Sequence, residues 1–600
     1  MERNVQKGAL LLLAIFAGAA SEALQKQKQT TEGSAPPPQV CIADGCLVGK
    51  FMDGLRAGPF EAFLGIPFAS PPVGKLRFAN PVPNEPWDGN NAREVGARGL
   101  PYDASSEKSA CVQKNDLIPN AKVEGSEDCL YLNVYRPKGQ QTSAGYKNAA
   151  DLPVMVYIHG GGYFAGSATP AVLGPEYFMD TKRVILVVIQ YRLGVFGFLS
   201  TGDDEAPGNV GLKDQVMALQ WVQKNIRCFG GDPKLVTIFG QSAGAGSVHM
   251  HMISPMSKGL FSRAIPMSGN ALAPWNIPTA EPLELARKQA EAVGVRNAKE
   301  LRSEEIVDAL RSIDADAIAG SIDKLKGWSI DPLTLYRPVI EQSKSKQQSF
   351  LVEDPRVSWQ NGRFQQIPWM TGTVPNEGAV RATAILANDV LLNQLNRNIT
   401  HLLPFLLEKD SSDELLARIK ARFFSGRPDG QWISKENGQR FIDMYTEAGF
   451  IYPYQAAVKQ YVTIANTNLA PVSVYKFSFR GRHSYSLFYT ASLEDYGVVH
   501  CDDLLYLFRS PALFPDFPPK SDEARMARYF VNFFIDFAIN GVATTPLAPY
   551  QPCTDSNKVT LSMDCDVLEF INGENEDQPF DVRIIPGLDE DLFAFWKDLY

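Results

Sequence analysis

Three stretches of the chain are almost uninterrupted in β-branched and other apolar residues: 153–160 (PVMVYIHG), 183–191 (RVILVVIQY) and 235–240 (LVTIFG). A strand with one face in water alternates in polarity. A strand that is apolar at nearly every position must be covered on both faces, as parallel strands under helices are. Between the second and third runs, 211–226 (GLKDQVMALQWVQKNI) places its apolar residues at helical spacing. Strand, helix and strand in alternation predict an α/β fold: a mostly parallel central sheet with helices on both faces and right-handed crossovers. A further run, 470–479 (APVSVYKFSF), adds a strand. Residues from about 280 to 429 read as helical, as in 281–293 (EPLELARKQAEAV), and predict helical insertions over one face, at the active-site edge.

The first residues of the chain predict its compartment. Arg3 and Lys7 precede the apolar run GALLLLAIFAGAA, and small residues follow it. That is the plan of a secretory signal peptide, assigned to residues 1–21 and too short to span a bilayer comfortably. Residues 22–39 are polar and proline-rich and predict a disordered leader. Residues 40–600 are expected to form one domain, with no stable membrane anchor. In an exported chain the eight cysteines suggest disulfides. Cys111 and Cys129 close a modest loop, Cys41 and Cys46 flank a turn (IADG), and Cys553 and Cys565 flank a polar segment. Cys228 and Cys501 are left over, and spacing alone does not fix the pairing. Asn398, in NIT, is an expected glycosylation site. A net charge of −9 speaks against a nucleic-acid partner, because no basic surplus is available to neutralise phosphates.

The third apolar run ends in Gly240-Gln241-Ser242-Ala243-Gly244, a G-x-S-x-G pattern with small residues continuing behind it. Glycines there allow a sharp strand-to-helix turn that lifts a hydroxyl above the sheet edge, with the N–H groups of the next helix aimed at the same spot. A serine hydroxyl needs a base to take its proton and donors to hold the oxyanion that forms. The loop HGGGYFAG (159–166) follows a strand and offers unobstructed backbone N–H groups at Gly161 and Gly162. With the N–H of Ala243 they make a candidate oxyanion hole, each donor contributing about 3 kcal/mol to the transition state. For the base, His401, His483 and His500 lie beyond a candidate acid in chain order. For the acid, Glu377 sits in a loop after a strand-like stretch (IPWMTGTVPNEGAV), with Asp502 and Asp503 as rivals beside His500. His249 and His251, in HMH, point to different sides of a helix and predict no metal site. No metal or cofactor is required.

Taken together, FLGIPFASPPVGKLRF (63–78), SEDCLYLNVYRP (126–137), HGGGYFAGS, YRLGVFGFLS (191–200), FGGDPKLVTIFGQSAGAGS (229–247), the glutamate loop and the histidine segment identify a resemblance. The chain resembles the type-B carboxylesterases and cholinesterases, and most closely the insect carboxylesterases, over about residues 40–600. The resemblance implies an α/β-hydrolase fold in which Ser242 is the nucleophile, Glu377 the acid and His500 the base. Gly161, Gly162 and Ala243 become the oxyanion donors, Ser268 a hydroxyl near the acid, and Trp275 a wall of the acyl pocket. It also implies a Cys111–Cys129 disulfide and buried Arg77–Glu127 and Arg192–Asp214 ion pairs.

Departures matter as well. The cholinesterases carry a tryptophan between the first two disulfide cysteines and a glutamate before the nucleophile; here that tryptophan is missing and Gln241 precedes Ser242. The second disulfide usual after the nucleophile is also missing. The expectation is a secreted serine esterase acting on small, uncharged or hydrophobic esters. The alternative is a non-catalytic adhesion or binding protein on the same fold.

Overall fold

The computed structural model describes residues 36–87, 101–118, 120–139, 151–277, 281–342, 347–490, 492, 494–553, 565–575 and 577–600. The expected signal peptide and most of the leader lie outside these residues. Gly49 donates its backbone N–H to the Pro38 carbonyl at 2.9 Å, and Gln39 opens the first strand, so paired structure begins just ahead of the expected boundary at 40.

Strands β1 (Gln39–Ile42) and β2 (Gly45–Val48) form a hairpin closed by the Cys41–Cys46 disulfide. The main sheet begins with β3 (Lys50–Asp53) and β4 (Pro59–Pro67). The short β5 (Tyr102–Asp103) returns to β2. Then come β6 (Tyr131–Pro137), β7 (Leu152–Ile158), β8 (Ile185–Ile189), β9 (Gly231–Gln241) and β10 (Arg263–Met267). β11 (Trp369–Thr373), β12 (Val472–Phe477), β13 (Asp566–Asn572) and β14 (Phe580–Pro586) complete it. Among the described residues the main sheet has eleven strands in the order β14-β13-β12-β11-β10-β9-β7-β8-β6-β4-β3. From β8 to β13 every neighbour is parallel, and the strands outside them are antiparallel.

The apolar runs are continuous because each face of the sheet has its own core. In β7, Val154, Val156 and Ile158 enter one core while Met155 and Tyr157 enter the other; β8 divides in the same way. The helix Val210–Asn225 covers the first face with Leu212, Val216, Leu219 and Val222. The helix Asp522–Asn540 covers the second with Phe530, Phe533, Phe534 and Phe537.

The stretch 280–429 is largely helical, as expected, but it does not form one layer. Helices Pro282–Ala292 and Ser303–Arg311 bury Ala286, Ile306 and Leu310 in the first core. The central strand β11 then intervenes. Beyond it, helices Ala379–Leu386, Ile399–Leu406 and Asp413–Phe423 join the later helix Gly438–Thr446 in a third core of their own.

Chain order leaves β7 flanked by β8 on one side and β9 on the other. Connections that leave a strand in opposite directions open a crevice at the carboxyl ends, where open α/β sheets place their ligands. Four of the segments expected to carry chemistry start at that edge. The glycine loop follows β7, Ser242 follows β9, Ser268 follows β10 and Glu377 follows β11.

Candidate active site

Ser242 stands between β9 and the helix Ala243–Ile253 with φ +59° and ψ −123°. A residue with a β-carbon is held there only by its surroundings, at a cost of about 1–3 kcal/mol. The Ser242 N–H is fixed to the Met267 carbonyl of β10 at 2.9 Å, and the Ser242 carbonyl accepts from Gly246 N–H at 2.9 Å. The flanking glycines are dictated by backbone proximity. A β-carbon on Gly240 would come within 2.6 Å of the Ile158 carbonyl oxygen, and one on Gly244 within 2.1 Å of the same atom. The motif is therefore the contact by which β9 and its helix pack against the end of β7.

That end of β7 continues into the glycine loop. Gly161 and Gly162 take positive φ, +102° and +58°, and a β-carbon on Gly161 would meet the Ala165 carbonyl at 2.1 Å. Among the described residues no acceptor takes the N–H of Gly161, Gly162 or Ala243. The loop is shaped from behind: Gln113 accepts from Gly166 N–H at 2.8 Å, and His159 stacks on Tyr191 with ring centroids 4.4 Å apart.

The histidine question resolves by contact. His500 Nδ1 lies 2.5 Å from Glu377 Oε2, with both side chains buried. Glu377 Oε1 accepts from Val374 N–H at 2.9 Å, and the His500 carbonyl accepts from the Tyr489 hydroxyl at 2.9 Å. Burial opposes a charge on this imidazole, but the Cys501 sulfur and the Glu377 carboxylate favour it, and the net direction is well above the usual imidazole range. A carboxylate on Nδ1 also sets the tautomer, leaving Nε2 with its lone pair free for a proton.

The rivals are placed elsewhere. Asp502 accepts from Val499 N–H, Ser484 Oγ and Tyr485 N–H at 2.7–2.9 Å and so anchors the histidine loop. Asp503 is fully buried near the pair without bonding the ring. His401 is exposed, and His483 stacks between Phe514 and Phe517. His249 accepts from Ala271 N–H and packs on Trp359, whereas His251 bonds Ser257 and Gln215; burial lowers both imidazoles to about 3.

Ser242, Gly161, Gly162, Trp275, His500 and Cys501 line one cavity, about 990 Å³ with the open solvent at its mouth included. Its walls are chiefly apolar, with Phe164, Leu333, Phe405, Leu406 and Phe450 prominent. That character suits an apolar ligand. Trp275 is held by its indole N–H on the Gly449 carbonyl at 2.9 Å. Ser268 sits at φ +53° with its hydroxyl buried and without a hydrogen-bond partner among the described residues. The Cys111–Cys129 and Cys553–Cys565 disulfides are formed, and Cys228 and Cys501 are free thiols. Asn398 is exposed at the start of the helix Ile399–Leu406.

The expected ion pairs are in place. Arg77 meets Glu127 through two bonds of 2.5 and 2.6 Å, and Arg192 meets Asp214 through two of 2.7 and 2.8 Å. Two cavity features escaped the sequence reading. Arg381 pairs with Asp331 in the wall, and the Gln241 amide lies against the His500 ring. Nothing in the spacing of Asp331 and Arg381 signals their meeting. The Gln241–His500 contact, by contrast, could have been suspected, because Gln241 directly precedes the nucleophile.

The pattern that defines the carboxylesterase family matches residues 36–578. The chain belongs to the carboxylesterase family. It is 43% identical over 519 residues to juvenile hormone esterase of Tribolium castaneum, covering 84% of each chain. It is 38% identical over 519 residues to esterase FE4 of Myzus persicae, covering 85% of each. The crystal structure of juvenile hormone esterase from Manduca sexta, with OTFP covalently attached, superposes with a TM-score of 0.76 at 27% identity, covering 94% of this chain and 99% of that one. This carboxylesterase is a serine-dependent carboxylic ester hydrolase on an α/β-hydrolase fold. No described helix is long and apolar enough to cross a membrane.

Proposed function

We propose that this carboxylesterase is exported from the cell and cleaves uncharged, predominantly apolar esters through an acyl-enzyme on Ser242. As the Ser242 oxygen attacks the ester carbonyl, its proton passes to His500 Nε2. Glu377 holds the imidazole by Nδ1 and favours its charged form. The N–H groups of Gly161, Gly162 and Ala243 receive the oxyanion. His500 then protonates the departing alcohol, leaving the acyl group on Ser242. In the second half-reaction His500 takes a proton from water as that water attacks the acyl carbonyl. The acid leaves, and Ser242 regains its proton from His500.

The observation that carries this reading is the 2.5 Å contact between His500 and Glu377, with His500 lining the same cavity as Ser242 and the glycine loop. Substrate class follows from the apolar lining, from Gln241 where a carboxylate would attract a cation, and from the missing tryptophan. The names of the relatives from Tribolium castaneum and Manduca sexta make juvenile hormone an ester to include among those tested. Export is supported by residues 1–21 and by three disulfides, which persist in oxidising compartments. The exposed Asn398 would carry a glycan there.

The test is Ser242→Ala. Hydrolysis of p-nitrophenyl butyrate should fall by at least about 10³-fold while the melting temperature holds. With wild type, mass spectrometry of a quenched reaction should find the acyl group on Ser242. Undiminished turnover by the pure mutant removes the assignment. A large preference for acetylthiocholine over an uncharged thioester of equal length removes the substrate class.

A further inference from the structure

Behind the imidazole lies a pair of side chains that the reaction as written does not use. Gln241 is 1% exposed, and its amide nitrogen lies 3.2 Å from His500 Nε2 and 3.4 Å from Nδ1. Near-equal distances to both ring nitrogens put the amide against the ring itself, not in line with one lone pair. The other end of the amide, Oε1, takes a hydrogen bond from Cys501 Sγ at 3.3 Å. Cys501 directly follows His500 and sits at φ +74°, a backbone state that glycine adopts freely and a β-carbon resists. A side chain kept where glycine would be easier calls for a reason in its contacts.

A glutamine amide presents two ends of nearly equal size and opposite polarity, and its partners decide which end faces which neighbour. We propose that Cys501 is a positioning residue: its thiol holds the Gln241 carbonyl, so that the N–H end of that amide faces the His500 imidazole and disfavours a second proton on the ring. This rests on the triad reading above. With the N–H end toward the ring, an added proton on the imidazole is disfavoured. With the carbonyl end toward the ring, it is favoured. Through the amide the cysteine thus works against the Glu377 carboxylate and against the direct pull of its own sulfur, both of which favour the charged ring. Other groups near the imidazole are Asp502 and Asp503 on the turn that follows it, Tyr475 from β12, Tyr489 and the ring of Phe450. All are retained in the variants below, and the direct pull of the sulfur is lost equally from the alanine, serine and glycine variants, so comparison among those three isolates the amide.

The experiment is the pH profile of kcat/KM for a p-nitrophenyl ester, whose acid limb reports the free-enzyme histidine. Cys501→Ser retains a donor that holds the amide and serves as the reference. Cys501→Ala frees the amide to turn, and its acid limb should lie about 0.5–1 unit above that of Cys501→Ser. Gln241→Glu replaces the N–H end with a charge and should move the limb further, by about 1–2 units. Cys501→Gly relieves the backbone and separates fold from function. Its melting temperature should hold or rise while its acid limb shifts as in Cys501→Ala. A folded Cys501→Gly variant whose profile superimposes on that of Cys501→Ser overturns the proposal, as does a Cys501→Ala profile that superimposes on it. Failure of the triad reading looks different: Ser242→Ala would keep its turnover, whatever the cysteine variants do.

Discussion

Ser242 and Cys501 both hold side chains at positive φ, and both lie on the active-site cavity. Strain of this kind persists where neighbours over-determine it. A third residue close by, Asp503, stores free energy in another way. Its carboxyl is fully buried, Oδ1 has no hydrogen-bond partner among the described residues, and the nearest donor to Oδ2 is the Tyr475 hydroxyl at 3.5 Å. Burial, and then the Glu377 carboxylate, push it from 3.8 up to about 7. A carboxyl raised on folding is fully compatible with the fold while protonated. Stability is therefore lost as pH rises from about 4 through about 7. Asp503→Asn is neutral throughout. Relative to wild type it should gain stability across that window, by about 3 kcal/mol at pH 8, and change little below pH 4. Urea denaturation at pH 4 and pH 8 checks this; equal differences at both would refute it. The same residue marks a limit of sequence reading. Glu377, Asp502 and Asp503 are all plausible acids by chain order, and only the turn after His500 decides. That turn sends Asp502 into backbone N–H groups and leaves the ring to Glu377. The nucleophile turn was legible because backbone proximity demands its glycines locally.

Among the elements, the strands with covered faces could be read directly, since β7, β8 and the end of β9 are apolar on consecutive positions. β11 was harder to see. Its sequence, WMTGT, carries two threonines and a glycine, and Gly372 is required because the Tyr475 ring occupies the space a β-carbon would need, at 2.2 Å. Packing by a neighbour's ring leaves no apolar run to find. Ion pairs tie elements together where apolar contact does not. Arg192 follows β8, and Asp214 lies on the helix Val210–Asn225; both are buried, and Asp214 also accepts the Arg192 backbone N–H at 3.0 Å. Asp214→Ala strands a buried guanidinium, so it should cost about 3–5 kcal/mol in chemical denaturation. Replacing both partners with apolar residues of similar volume should cost much less. A single-mutant loss under about 1 kcal/mol would show the pair to be dispensable.

For the whole molecule, the third core matters most. It packs helices against one another over the sheet edge, separately from the two cores that hold the sheet. Glu377 is the last residue before this cap. Gly378 donates its N–H to Thr446 Oγ1 at 2.9 Å, and the helix Ala379–Leu386 begins immediately after. The cap also supplies Phe405, Leu406 and Phe450 to the cavity. The acid that orients His500 is thus mounted at the border of a layer whose core is separate from those that hold the sheet, and separately packed units are the ones that open at lower free energy. On heating, ester turnover measured at temperature should fail several degrees below the midpoint of far-ultraviolet circular dichroism, roughly 3–8 °C. Coincident midpoints would show cap and sheet to melt as one. Glu377 being rooted there, any loosening of the helical layer would carry the carboxylate away from its imidazole, so catalysis is tied to the integrity of a layer that the sheet itself does not need.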